Sequence, residues 1–582
     1  MRSTDWIVLV LTLLSIVVYG IVKGRGSKNL KGYLLADKQL RWYAVAFSIM
    51  ATQASAITFT STPGQAFVDG MRFVQYYFGL PIAMVILSVT AVPLFHKLNV
   101  FTAYEYLEHR FDLKTRTLTS AIFLVSRGLG AGMSIYAPSL ILSVMLGIDI
   151  RITSTIIGGA IVIYSTSGGV KAVNWTHVQQ LSIVMFGMIA AFAVTVYLLP
   201  RDISFGDALY VAGTAGKLNV IDFSFDLSNK YNFWSGIIGG MFVALAYFGT
   251  DQSQVQRYLT GKSVAQSRLG LMFNGLAKVP MQFFILMIGV MVFVFYQFVT
   301  PPLFFNPVET ERIKAGPMAG QYASLEQQYD QVTEEKAAAI RDVLETRKNG
   351  SADELVVAKQ RFDEKAEEAK QIRSSAVELL AANHADTNDT NYIFLSFVTK
   401  YLPAGLVGLL FACIFAASMS SASGELSALA TTSIVDVYRR HFRKELTERH
   451  YVIVSRVAMA AWGVYGILFA QFASGLGSLV EAVNILGSLF YGTMLGVFLI
   501  AFYVRWVGGT SVFWAAVFSE IVIFSLFILE RLAVVTVSWL WYPVLGCGTV
   551  VIVALLLHIL LKREGKSSPV HESPDQPDSK SD

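Results

Sequence analysis

Two runs of small polar residues stand inside stretches otherwise apolar enough to cross a bilayer. The first is ATQASAITF, Ala51 to Phe59, continuing into STPGQAF; the second is FAASMSSASGELSALATTS, residues 415–433. An unsatisfied polar group in hydrocarbon is costly, so Thr52, Gln53, Ser55 and Thr58 must face protein, water or a ligand. Pro63 and Gly64 follow a run of small residues, so the first helix is expected to be interrupted there, freeing backbone carbonyls. Carbonyls at membrane depth suit a hard cation such as Na+. In the second run Ser418, Ser421 and Glu425 share one helical face at i, i+3 and i+7. Adjacent Ser420 and Ser421, aimed at an unwound neighbour, would complete an oxygen cage of about five ligands. Close helix packing explains the serines equally well.

These clusters need a membrane frame. The chain has 582 residues, 54% hydrophobic and 15% charged, against roughly 25% charged in soluble domains. Apolar stretches of about 20 residues recur along the length, which points to an all-α integral membrane protein rather than a barrel. Hydropathy places spans near 5–22, 42–68, 73–95, 118–146, 152–168, 177–199, 233–250, 271–299, 403–430, 451–471, 479–503, 511–530 and 538–561, thirteen in all. The run at 5–22 lacks a small-residue cleavage site and reads as a retained helix. Lys23, Arg25, Lys28, Lys31, Lys38 and Arg41 oppose only Asp37 in the first loop, which places that loop in the cytoplasm. Arg257, Lys262 and Arg268, and later Arg439, Arg440, Arg443, Lys444 and Arg449, then also fall inside. The N-terminus is expected outside and the C-terminus inside. Cys413 and Cys547 lie in apolar spans and offer neither a disulfide framework nor a metal cluster.

Residues 301–391 carry 17 acidic and 11 basic residues, a sign that fits an extracytoplasmic insert. Helical patterns at 322–348 and 352–382 flank NGS, and Ser351 with Glu354 forms a capping box, so a helical hairpin is expected. The domain reading is a leading helix and cytoplasmic loop (1–40), a first repeat and start of a second (41–300), the hairpin insert (301–391), the remainder of the second repeat (392–505), trailing helices (506–561) and a disordered cytoplasmic tail (562–582). If the repeat is five helices, the partner of the 42–68 span is 233–250, which ends AYFGTDQSQVQR, again polar in an apolar setting.

With these residues in view the chain resembles the sodium/solute symporters, which include sodium/glucose, sodium/proline and sodium/sialic acid transporters. Four patches carry the resemblance over roughly residues 5–505: ATQASAITF with STPGQAF, STSGGVKAVNWTHVQQ, YFGTDQSQVQRYL, and ASMSSASGELSALATTSIVDVYRR. It implies an inverted five-helix repeat, leucine-transporter-like, with a leading helix and trailing helices. It also implies a sodium ion held by the carbonyls of Ala51, Ala54 and Ala417 and the hydroxyls of Ser420 and Ser421. The first broken helix looks closest to the sialic acid branch, whose similar S-x-I-T-F run grips a carboxylate; Ser55 and Thr58 fall on those positions. Gln75 in FVQYYFGLP looks like a polar contact from the next helix. Arg127 in LVSRGLGAG is expected to pair the solute carboxylate, although it stands about one turn from that branch's arginine; the alternative is that it snorkels toward the cytoplasmic surface near Arg116. Lys278 corresponds to an intramembrane lysine that contacts sugar in the glucose branch, and its depth calls for a polar cavity or a carboxylate partner. Where the family usually has Asp after SGGVKAVNWT, this chain has His177, which implies a single sodium per cycle. Glu425 is expected along the inward exit path and Glu481 at the outer mouth.

The expected function is sodium-coupled import of a small polar solute by alternating access, best a sialic acid or another sugar acid. A neutral sugar or a monocarboxylate is the alternative. Its partners are the solute, sodium and the lipid bilayer of the cell membrane, with no nucleic acid and with a functional monomer. No filter-like motif supports a channel, no output domain a sensor, and no titratable pair at catalytic spacing an enzyme.

Overall fold

Long apolar segments become helices because only internal backbone pairing is tolerable in hydrocarbon. The computed structural model describes residues 2–24, 30–442, 446–473 and 478–565. Arg25, Lys28, Arg443, Lys444 and the tail from 566 lie outside the described residues. Each of the thirteen predicted spans coincides with helix. Among the described residues ten helices are long and apolar enough to cross a membrane by length and composition, with two shorter apolar helices at Ile150–Ile163 and Ser235–Gly249.

In chain order, α1 is Ser3–Gly24, α2 Trp42–Gln53, α3 Ala56–Asp69, α4 Leu113–Leu146 and α5 Ile150–Tyr197. Next come α6, Gly240–Gly249, α7, Gln252–Leu259, and α8, Val264–Phe298. After a hairpin of α9, Ala319–Asn349, and α10, Ala352–Ala382, follow α11, Leu406–Thr432, and α12, Glu448–Phe472. The last three are α13, Leu479–Tyr503, α14, Gly509–Arg531, and α15, Tyr542–Gly565. The peripheral helices turn large apolar side chains outward, as at Val457, Ile521 and Ile552. Such a surface is stable only against lipid.

Three interruptions shape the interior. The first helix breaks between α2 and α3 at Ala54 (ψ 78°) and Ser55 (ψ 172°). This corrects the expectation that the break follows Pro63. Proline instead lies within α3, and its neighbourhood serves close packing. A Cβ on Gly64 would stand 2.0 Å from the Thr390 carbonyl oxygen, and one on Gly289 of α8 would stand 2.1 Å from the Pro63 carbonyl oxygen. The partner span breaks likewise between α6 and α7, where Asp251 is extended (ψ 117°) and caps α7 by accepting from Ser253 N at 2.8 Å. The third interruption is in α5 at Gly169, whose φ of 61° with ψ −177° is open essentially to glycine alone. It divides α5 into the two predicted spans.

The hairpin has its own small core, including Phe304, Tyr322, Tyr329 and Leu380. Ser351 and Glu354 close the turn, with Ser351 N donating to Glu354 Oε2 at 2.7 Å and Glu354 N to Ser351 Oγ at 3.3 Å. The hairpin is tied down by Lys348 on Asp207 at 3.0 Å, by Arg341 on Asp202 at 2.5 Å and by Arg373 on Asp389 at 2.7 Å.

Candidate functional site

The break between α2 and α3 brings backbone carbonyls against α11. Ser420 Oγ lies 2.9 Å from the carbonyl oxygen of Ala51 and 2.9 Å from that of Ala417. Ser421 Oγ donates to the Thr52 carbonyl at 3.0 Å. One hydroxyl carries one hydrogen, so Ser420 satisfies only one of its two carbonyls at a time. Carbonyl and hydroxyl oxygens gathered in this way are the donor types that a hard cation takes. Ala54 sits at the break itself, its N–H held by Met50 O at 2.8 Å.

His177 is fully buried beside this set. Its Nδ1 is 3.0 Å from Ser48 Oγ and its Nε2 is 3.1 Å from the Ser420 carbonyl. Ser48 in turn donates to Asn174 Oδ1 at 2.6 Å, which also accepts from Arg257 at 3.1 Å. The imidazole is thus a bridge from α5 to both α2 and α11.

Beside the break lies a cavity of about 110 Å³, lined among others by Ser55, Thr58, Arg127, Ser421 and Glu425, with Tyr247 and Tyr491 at its wall. Arg127, on α4, is buried and does not snorkel. Nη1 donates to Glu425 Oε1 at 3.0 Å, and Nη2 donates to Tyr491 OH at 2.7 Å and to Asp251 Oδ2. The Tyr247 ring centroid is 5.3 Å from Cζ. The expected free arginine is therefore already paired with two carboxylates, brought by α11 and by the α6–α7 break. Glu425 faces this cavity directly, with the Ser134 hydroxyl as its neighbour beside Arg127.

Two expected solute contacts stand outside the cavity. Gln75 is consumed by the loop that follows α5: its Nε2 donates to Tyr231 O at 2.8 Å and its Oε1 accepts from Asp222 N at 3.1 Å. Its neighbours Tyr76 and Tyr77 line the cavity instead. Lys278 is buried on α8 with neither a hydrogen-bonded nor a carboxylate partner for Nζ among the described residues. It lies 5.5 Å from the centroid of the Tyr77 ring, so a cation–π contact replaces the expected acid. Glu481 meets Lys230 at 3.0 Å and the Tyr231 hydroxyl at 3.2 Å, at the end of the molecule nearer the hairpin.

A family model for the sodium:solute symporter family matches residues 33–315 and 374–518. The chain belongs to the sodium:solute symporter family. The unmatched stretch, 316–373, holds most of the α9–α10 hairpin. Sodium-coupled monocarboxylate transporter 1 of Homo sapiens is 27% identical over 484 residues, 83% of this chain and 66% of that protein. The sodium/iodide cotransporter of Homo sapiens is 26% identical over 488 residues, 83% of this chain and 62% of its own length. The chain thus spans somewhat less than two thirds of the length of these relatives. The solved structure of a Na+-coupled sialic acid symporter, substrate-bound and outward-open, aligns with a TM-score of 0.72 at 21% identity, covering 96% of this chain and 98% of that one. At that identity the likeness establishes the fold, the inverted repeat with its paired broken helices.

The sequence does not announce the place of Asp251 beside Arg127 or the four cavity tyrosines, Tyr76, Tyr77, Tyr247 and Tyr491. Asp251 carried a signal, an acid at the end of an apolar span in the position matching the first break. The tyrosines carried none, since aromatic residues in spans usually pack as core.

Proposed function

We propose that this symporter couples inward movement of sodium to uptake of a small carboxylate-bearing solute, with sialic acid, other sugar acids and monocarboxylates as the class. The observation that carries the reading is one cavity where Ser55, Thr58 and Arg127 meet the Ser421 edge of the carbonyl and hydroxyl set. Sodium at Ala51, Ala54, Ala417, Ser420 and Ser421 would hold the broken helix against α11, and the solute would use the adjoining hydroxyls and guanidinium. Each ligand then favours the same arrangement, which is the origin of coupling. His177 supplies no carboxylate, which supports one sodium per cycle. The loop charges support an outside N-terminus and a cytoplasmic C-terminus, with the hairpin extracytoplasmic.

A neutral sugar is the second reading, favoured by the two carboxylates already on Arg127. Uptake into proteoliposomes decides between them. N-acetylneuraminate, lactate and glucose are compared with sodium or choline outside, and equal uptake in the two salts for every solute would sink the proposal. Ser421→Ala should weaken sodium dependence, whereas Thr58→Ala should mainly weaken solute affinity.

A further inference from the structure

The two carboxylates on Arg127 are not equivalent. Asp251 is fixed: its Oδ1 accepts from Ser253 N at 2.8 Å and from Ser253 Oγ at 2.6 Å, and it caps α7. Asp251 does not line the cavity, whereas Glu425 does. Glu425 is 6% exposed and is held by Arg127 through Oε1, with the Ser134 hydroxyl as its other hydrogen-bonding neighbour. A buried carboxylate held by a single charged bond and one hydroxyl has acceptor capacity left for a second cation. Glu425 also stands one helical turn after Ser421, and both line the cavity with Thr52, whose carbonyl Ser421 holds. The carboxylate therefore shares one cavity with the guanidinium and with the Ser421 edge of the proposed sodium oxygens.

Resting on the carboxylate-symport reading above, we infer that Glu425 is an exchangeable counter-ion that makes sodium a requirement for solute binding. In the absence of both ligands the buried group has one cation, Arg127, against two anions. A solute carboxylate arriving alone adds a third anion to a site shielded from water, where like charges repel strongly. Sodium arriving first cancels the excess charge and draws Glu425 from Arg127, whose Nη1 is then open to the solute. Sodium and solute together return the site to its starting charge, so the pair enters where the anion alone does not. Asp251 remains on Nη2 throughout and keeps the guanidinium oriented.

The test is binding to purified full-length protein with N-acetylneuraminate and lactate as probes, in sodium and in choline. Wild type should bind the responsive acid at least about tenfold more tightly in sodium, within the usual range of coupling. Glu425→Gln keeps the side-chain volume and removes the extra charge. Its sodium-to-choline affinity ratio should fall to about one or two, chiefly through tighter binding in choline. A ratio as large as in wild type overturns the proposal, as does binding equally weakened in both salts. A measurement on wild type covers the case in which the variant does not fold. By reciprocity the acid should lower the sodium concentration needed for half-maximal thermal stabilisation, whereas lactamide or the methyl ester of N-acetylneuraminate should not. Equal effects of acid and neutral analogue overturn the exchange. Absence of sodium-stimulated uptake for every acid sinks the transport reading itself and this inference with it, whereas intact coupling in Glu425→Gln sinks the exchange alone.

Discussion

Replacing Arg127 by glutamine removes the cation from a buried group of three charges and leaves Asp251 and Glu425 facing each other. Breaking a buried ion pair on one side costs about 3–5 kcal/mol, because the remaining charge is uncompensated. Two acids are stranded here, so Arg127→Gln should lie at the upper end of that range. Asp251→Asn keeps the capping oxygen for Ser253 N but turns an amide donor toward the guanidinium, and loses about 1.5–3 kcal/mol, the worth of a hydrogen bond to a charged group. Glu425→Gln leaves a one-to-one pair of Arg127 with Asp251 and should change stability by less than about 1 kcal/mol, since removing an uncompensated buried charge offsets the lost bond. The double variant Arg127→Gln with Glu425→Gln should recover part of the loss of Arg127→Gln, because one of the stranded acids is gone. Apparent melting temperatures from tryptophan fluorescence in sodium-free detergent buffer give the ranking. If Glu425→Gln lowered the melting temperature as far as Arg127→Gln, the charge accounting at this site would be wrong.

Two further outcomes follow from geometry elsewhere. Gly169→Ala forces a side chain into a backbone region open almost only to glycine, with its Cβ 2.8 Å from the Tyr33 ring, and should cost about 1–3 kcal/mol of stability, read as a lowered melting temperature. Glu108, on the short helix Ala103–Arg110, is held down to about 2 by the hydrogen bond from Arg440, with a further bond from Arg116, against a burial effect that works the other way. A depressed carboxyl contributes stability that is complete above its ordinary value of 4.5 and fades as pH falls toward about 2. Glu108→Gln should therefore flatten the fall in melting temperature between those pH values, and an unchanged profile would remove Glu108 from the account.

Much of the architecture is legible in the sequence because hydrocarbon allows few solutions. Long apolar runs, small polar clusters and the five-helix spacing of the two breaks all follow from the need to satisfy backbone groups internally. The exact point of the first break is not legible. Pro63 draws attention to itself, yet the break at Ala54 and Ser55 is supported by Ser420 and Ser421, 369 residues away along the chain from the carbonyls they meet. Direction is the other blind spot. Gln75 is the polar residue in FVQYY, but the tight turn Gly70–Tyr77 points it at the loop and points the tyrosines at the cavity. Arg127 was legible as an intramembrane cation, while its partners come from 124 and 298 residues away. No local pattern encodes that meeting.

The way the broken helices are seated has a mechanical consequence. Within the set formed by α2, α3 and α8 the contacts are close, Gly289 of α8 lying against the Pro63 backbone and Gly270 against Val45, and these parts interlock like fitted joinery. Toward α5 and α11 the same set meets its neighbours through Ser420 on Ala51, Ser421 on Thr52 and His177 on Ser48. Interlocked backbones cannot part without opening a void, but polar contacts can exchange partners with water as a surface slides. The plane between this set and its α5 and α11 neighbours is thus the one along which a slip would cost least. The carbonyls proposed for sodium lie on that plane, so an ion bound there would act as a rivet across it, fixing one position of the slip until it is withdrawn.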